Sequence, residues 1–187
     1  MADDKPDQDR RSLLREGLPL AAVAAASVGT AQAQTPEPTY TIPGVRLVFT
    51  AWVTIAAMKT IGETPTGQGR LIPITGGTFE GPRLKGKVLA GGADWQTVRS
   101  DGVTELHAHY GLETEDGAII QVWNDVLARA DPPRAGETQP QRFLRSTLRL
   151  QAPKGAHDWL NKSVFVGTLN APPDARAPVT IRCFEVI

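Results

Sequence analysis

The sequence predicts an all-β fold, an antiparallel barrel or sandwich built from about nine short strands. From about residue 45 onward, β-branched and aromatic residues recur in short blocks separated by glycine, proline and aspartate. Asp-Gly pairs at 101–102 and 116–117 are the strongest hairpin signals. The same region lacks the 3.6-residue periodicity of an amphipathic helix, which favours strands throughout.

Each predicted strand is a block of β-branched and aromatic residues, and it ends where the glycine, proline or aspartate of the next turn begins. We predict strands over 45–56, 70–79, 84–89, 95–99, 103–114, 118–126, 142–150, 163–169 and 179–186. Two of the connectors, 130–141 and 151–158, are long and polar and flank the same strand, so they are expected at its opposite ends.

The first 33 residues carry the features of a twin-arginine export signal. Arg10 and Arg11 precede an alanine-rich apolar stretch over 18–28, and Ala31-Gln32-Ala33 supplies the small residues that a signal peptidase needs. The apolar stretch is well short of the roughly 20 residues that cross a bilayer. We therefore expect a cleaved signal peptide at 1–33, handled by the twin-arginine export machinery, then a flexible linker at 34–43 and a barrel domain at 44–187. The expected location is periplasmic or secreted.

Composition excludes several classes of function. Lys plus Arg and Asp plus Glu both total 20 in 187 residues, so no basic excess exists to bind nucleic acid or an anionic membrane. The single cysteine, Cys183, excludes an intrachain disulfide framework and a thiolate-rich metal site. No glycine motif fits a phosphate loop, and no cofactor is expected. The sequence leaves open whether the chain forms a homo-oligomer.

Two consecutive glycine-rich blocks resemble the domain-of-unknown-function family 3237. Residues 70–82 read RLIPITGGTFEGP and residues 84–96 read LKGKVLAGGADWQ, with further matches at 110–112, 116–118, 143–146 and 159–161. The resemblance implies a single antiparallel β-barrel of about eight to ten strands, lipocalin-like in outline, and no established activity. The chain departs from the family at His109, where an arginine usually precedes the tyrosine.

The clearest alternation lies in the predicted strand 103–114. Glu105, His107 and His109 share one face, and the other face carries leucine, alanine and tyrosine. Two histidines at this spacing are weak candidates for a metal site, and a polar, solvent-facing stripe is the favoured interpretation, so no metal is expected. The sequence does not specify which face looks into the barrel.

Acid–base residues form a second hypothesis. Glu105 or Asp94 is a candidate base and His109 or Tyr110 a candidate acid, with Arg145 stabilising developing negative charge. Histidine suits this role because its usual pKa lies near neutral pH. Arg145 is predicted to share a face with Phe143, in a strand where an arginine without a partner is costly.

Aromatic residues form the third set, because barrels hold organic ligands with aromatic walls and a few polar groups. The candidate ligand contacts are Trp95, Tyr110, Trp123, Phe143, Arg145, Trp159 and Asn161. The sequence thus favours an exported barrel that binds a small, partly apolar organic molecule. The alternatives are a cofactor-free lyase, hydratase or isomerase acting in the same lumen, and a structural barrel with a filled lumen.

Overall fold

The structure, a computed structural model, describes residues 41–172, 174 and 176–187 and builds them into one antiparallel sheet. Its strands are β1 (Val45–Ile55), β2 (Lys59–Thr64), β3 (Gly67–Glu80), β4 (Lys85–Val88), β5 (Ala93–Val98), β6 (Thr104–Thr114), β7 (Ile119–Asp131), β8 (Gln141–Gln151), β9 (Phe165–Asn170) and β10 (Val179–Val186). The predicted signal peptide and linker residues 34–40 lie outside the described residues. No helix in the described part of the chain is long and apolar enough to cross a bilayer.

The sheet closes on itself because β1 pairs with β10 on one side and with β3 on the other. Around the barrel the order is β1, β10, β9, β8, β7, β6, then β4 and β5 together, and then β3. The strands β4 and β5 share one position, since each pairs with both β3 and β6. The predicted all-β barrel is confirmed, with eight positions in the ring and β2 as an extra strand beside β3.

Burial alternates along the strands and defines the inner face. On β8, Leu144, Ser146 and Leu148 are buried, and Arg145 and Thr147 between them are exposed. On β6, the apolar set that includes Ala108 and Tyr110 points inward, and the polar stripe points outward. This result settles which face of the strand looks into the barrel.

The two ends of the barrel differ. One end is filled by a core that includes Phe49, Phe79 and Phe165, and a 3-10 turn at Asp158–Lys162 packs the buried Leu160 against it. The opposite end, which we call the mouth, carries the connectors 56–58, 99–103 and 132–140 and the described residues 171, 172, 174 and 176–178 between β9 and β10. The two long connectors predicted from the sequence therefore lie at opposite ends of β8.

The largest differences from the predicted strands are at two places. Strand β2 was not predicted, because Lys59–Thr64 is short, mostly exposed and contains glycine. Strand β7 runs to Asp131, beyond the predicted end at 126, because it stays paired with β8 as far as Gln141. Both differences raise the barrel wall at the mouth.

Candidate functional site

A cavity of about 110 Å³ lies in the barrel lumen between the filled core and the mouth. Most of its lining is apolar, with side chains such as Val53, Ile74, Leu144 and Ile181. The polar lining residues are Asp94 and Gln96 on β5, Tyr110 on β6 and Asn124 on β7. A largely apolar cavity with a few convergent polar groups is typical of a small-molecule site.

Strand register brings the polar side chains to one arc of the lumen. Asp94 pairs with Ala108 across β5 and β6, and Ala108 pairs with Asn124 across β6 and β7. The small alanine leaves open the space between the carboxyl and the amide. The opposite arc, formed by β1, β3, β9 and β10, contributes only apolar side chains to the cavity. The lumen therefore has a polar and an apolar side.

Several polar atoms of this arc have no hydrogen-bond partner among the described residues. They are Asp94 Oδ1, Tyr110 Oη, Asn124 Oδ1 and Nδ2, and, on the adjacent strand β8, Ser146 Oγ. The other Asp94 oxygen, Oδ2, accepts a 2.7 Å hydrogen bond from Gln96 Nε2. Most buried polar groups in proteins are bonded, and an unsatisfied one costs about 1–3 kcal/mol. We therefore expect a molecule bound in the cavity to supply the missing partners of Asp94, Tyr110 and Asn124, which line it.

Burial sets the protonation behaviour of the two acids in the lumen. Loss of solvation raises the pKa of Asp94, and the hydrogen bond from Gln96 offsets part of that rise. Burial also raises the pKa of the Tyr110 phenol, so it stays protonated at neutral pH. A carboxyl with a raised pKa exchanges protons more readily near neutrality than an ordinary aspartate.

The polar stripe on β6 lies on the outer surface. Glu105 accepts a 2.8 Å hydrogen bond from Arg99, and His107 Nδ1 lies 2.7 Å from Asp125 Oδ1. His109 stacks on Trp123 with ring centroids 4.8 Å apart. The lumenal position that the acid–base hypothesis needs for Glu105 and His109 is not observed. Within the described residues, no three His, Cys, Asp or Glu side chains come together as a metal site.

Arg145 and Phe143 share a face as predicted, but that face is the outer one. The Arg145 guanidinium donates a 2.9 Å hydrogen bond to the Leu144 carbonyl and lies 5.1 Å from the Phe143 ring. The inner face of β8 instead carries the buried side chains of Leu144, Ser146, Leu148 and Leu150. Arg145 was expected inside the lumen, and the structure places it outside.

The predicted tryptophans also lie outside the lumen. Trp95 is 52% exposed on the outer face of β5, and Trp123 lies on the outer face of β7 beneath the Arg149 guanidinium. Trp159 packs at the closed end under Arg83, at 3.5 Å. Asn161 is tied to the Ala152 backbone by two hydrogen bonds. Of the predicted site residues, Asp94 and Tyr110 alone line the cavity.

Sequence reasoning missed two polar residues that line the cavity, Gln96 and Asn124. The sequence pattern could have identified Asn124, because it alternates with the apolar residues Val122 and Val126. The structure shows that its side chain is only 1% exposed. A polar residue at an inward strand position requires a partner, and that requirement marks it as a candidate ligand contact.

Comparison with known proteins gives consistent matches. A family model described as "Protein of unknown function (DUF3237)" matches residues 43–186. A UPF0311 protein of Rhodopseudomonas palustris is 34% identical over 133 residues, covering 66% of this chain and 85% of that protein. A crystal structure of a beta-barrel like protein from Acinetobacter baumannii superposes with a TM-score of 0.68 at 28% identity, covering 80% of this chain and 100% of that chain. A hydroalkoxylation enzyme of Penicillium herquei is 33% identical over 103 residues, covering 55% of this chain and 65% of the enzyme.

Proposed function

Because the chain belongs to the DUF3237 family, whose description names no activity, we propose a function from the chemistry of its own lumen. The barrel binds a small, partly apolar organic molecule and transfers a proton to or from it through Asp94. The reaction class is addition of O–H across a carbon–carbon double bond, or the reverse elimination. This is the lyase or hydratase alternative predicted from the sequence; it keeps Asp94 and Tyr110, adds Asn124, and assigns no role to Glu105, His109 or Arg145.

One observation carries the proposal: unsatisfied polar atoms of Asp94, Tyr110 and Asn124 converge on an otherwise apolar cavity. A barrel that only needed a filled core has no reason to bury these groups, because apolar residues of the same size are more stable there. The raised pKa of Asp94 adds to the argument, since it suits proton transfer near neutral pH.

The relative named a hydroalkoxylation enzyme supports the reaction class. Hydroalkoxylation adds the O–H bond of an alcohol across a double bond, and it needs a proton acceptor and a proton donor rather than an oxidant. An aspartate that alternates between carboxylate and carboxylic acid supplies both.

The proposed step balances within the site. The Asp94 carboxylate takes the hydroxyl proton while the oxygen bonds to one alkene carbon and the π electrons move to the other carbon. The carboxylic acid so formed then returns its proton to that second carbon. Where the alkene is conjugated to a carbonyl, Tyr110 and Asn124 donate hydrogen bonds to the enolate oxygen that forms in between.

The test uses ring closure of 1-(2-hydroxyphenyl)prop-2-en-1-one to chroman-4-one, followed by near-ultraviolet absorbance. We expect the protein to accelerate closure, and Asp94→Asn to lower the rate by a factor of about 10²–10⁴, the usual contribution of a positioned acid or base. Equal rates for the two proteins contradict the proposed chemistry and leave a binding protein.

The raised pKa of Asp94 also predicts whether Asp94→Asn is more or less stable than wild type, which serves as a folding control. Burial raises the pKa of Asp94, so wild-type stability falls as pH rises from about 4, near its unfolded pKa, through the raised folded value. Asp94→Asn is therefore expected to be more stable than wild type at pH 8 in urea unfolding, with the difference closing below about pH 4. Asp101 is the matched opposite case, because a backbone hydrogen bond from Val103 lowers its pKa, so Asp101→Asn is expected to lose stability at pH 8.

We also propose that the chain is exported through the twin-arginine pathway, on the sequence features of residues 1–33. The prediction is a periplasmic protein whose intact mass begins at Gln34. Arg10→Lys with Arg11→Lys is expected to hold the full-length chain in the cytoplasm, and unchanged export of that variant contradicts the proposal.

A further inference from the structure

Two arginines lie on the lumen side of the mouth. Arg70 on β3 is two residues from the cavity-lining Ile72 and pairs in register with Gln96. Arg142 on β8 is two residues from the cavity-lining Leu144. Because strand side chains alternate between faces, both arginines share the inner face with these neighbours.

These arginines come from opposite sides of the barrel. Three strand positions separate β3 from β8 in either direction around the ring: β4/β5, β6 and β7 one way, and β1, β10 and β9 the other. Arg70 and Arg142 therefore flank the path that a ligand takes into the cavity.

Neither guanidinium pairs with a carboxylate among the described residues. Arg70 Nη1 lies 4.0 Å from Met58 Sδ, and Arg142 Nη1 donates a 2.8 Å hydrogen bond to the Ala171 carbonyl. The nearest inner-face carboxylate along β2, Glu63, pairs in register with Gln68, one step farther from the lumen than Arg70.

Other arginines at the same end of the barrel behave differently. Arg99 binds Asp101 and Glu105, and Arg129 binds Asp131. These three carboxylates are thus committed to arginines outside the lumen, and no salt bridge joins Arg70 or Arg142 to a carboxylate of the described residues.

We infer that the ligand of the proposed lumenal site is an amphiphilic organic anion. Its oxygen-bearing end lies near Asp94 and Asn124, its apolar body fills the cavity, and its anionic group reaches Arg70 and Arg142 at the mouth. Arg70 is a diagonal neighbour of Asp94 on the adjacent strand, a separation of about 7–8 Å between backbone positions. The cavity of about 110 Å³ is smaller than the roughly 150 Å³ that encloses benzene. The part of the ligand inside the cavity is therefore no larger than a single ring or short chain, and the rest of the molecule, with its charged end, extends into the mouth.

The experiment compares two probes of the same shape, 4-hydroxybenzoate and its neutral analogue 4-hydroxybenzamide, by ligand-observed NMR titration. We expect wild type to bind the benzoate about tenfold more tightly, as charge-assisted hydrogen bonds to arginine predict. Arg70→Gln and Arg142→Gln each reduce that preference, and the double variant binds both probes equally. Arg145→Gln is the control, because it lies on the same strand as Arg142 but on the outer face.

Three outcomes overturn the inference: equal binding or no binding of the two probes by wild type, a preference that survives in the double variant, or a preference that Arg145→Gln removes. The inference and the proposed reaction fail separately. If Asp94→Asn loses ring closure but wild type shows no preference for the benzoate, the reaction stands and the anionic ligand is contradicted. If the preference for the benzoate depends on Arg70 and Arg142 but wild type closes the ring no faster than Asp94→Asn, the anionic ligand stands and the reaction is contradicted.

Discussion

Gly77→Ala is expected to unfold the barrel, and Gly91→Ala is expected to fold. A Cβ at position 77 would lie 2.1 Å from the carbonyl oxygen of Trp52, a distance that real Cβ atoms do not reach. Gly77 pairs with Val53 of β1 and with Val88 of β4. The clash therefore falls on the pairing of β1 with β3 that closes the sheet into a barrel.

Gly91 is the matched control because it also has a positive φ, 102° against 136° for Gly77, but nothing lies within 4 Å of its added Cβ. Both alanine variants carry the backbone strain of this region, about 1–3 kcal/mol, and only Gly77→Ala also displaces a paired strand. Urea unfolding followed by circular dichroism separates the two contributions. Equal losses of stability in the two variants would mean that the contact with Trp52 is not decisive.

The sequence predicted where the strands lie more reliably than which way their side chains point. Alternation on β6 separates two faces, but both faces contain residues suited to chemistry. The structure turns Tyr110 inward with the apolar set and the histidines outward. On β8, the inner face holds Leu144, Leu148 and Leu150. Burying three leucines stabilises the fold more than burying Phe143 together with two arginines, because buried charges lose their solvation. The face that carries Arg145 is therefore the outer one.

The lumenal site depends on register, which local sequence does not determine. Asp94, Ala108 and Asn124 come from three strands, and only the pairings of β5 with β6 and β6 with β7 align them. The signature block around residue 94 pointed to Asp94, but no local pattern shows that an alanine separates it from an asparagine. Likewise, the mouth arginines become a pair only when the ring closes and sets β3 opposite β8.

Ala108→Leu is expected to abolish binding in the lumen while preserving the fold. The substitution adds three carbons to the side chain that lies between Asp94 and Asn124, in a cavity of about 110 Å³. Overpacking a filled core costs about 1–3 kcal/mol, but here open space accepts the larger side chain, so we expect a smaller loss of stability or a gain.

The measurement for Ala108→Leu is affinity for the neutral probe 4-hydroxybenzamide, which makes the result independent of the mouth arginines. We expect a loss of at least about tenfold, because the added carbons occupy the volume of the probe ring and block its access to the unsatisfied polar atoms. Thr147→Leu is the control, since it adds a leucine to the exposed outer face of β8 and leaves the lumen unchanged. If Ala108→Leu binds the probe as wild type does, the molecule does not lie between Asp94 and Asn124. The cavity would then be a packing void, and Asp94 would need another reason for its unsatisfied oxygen.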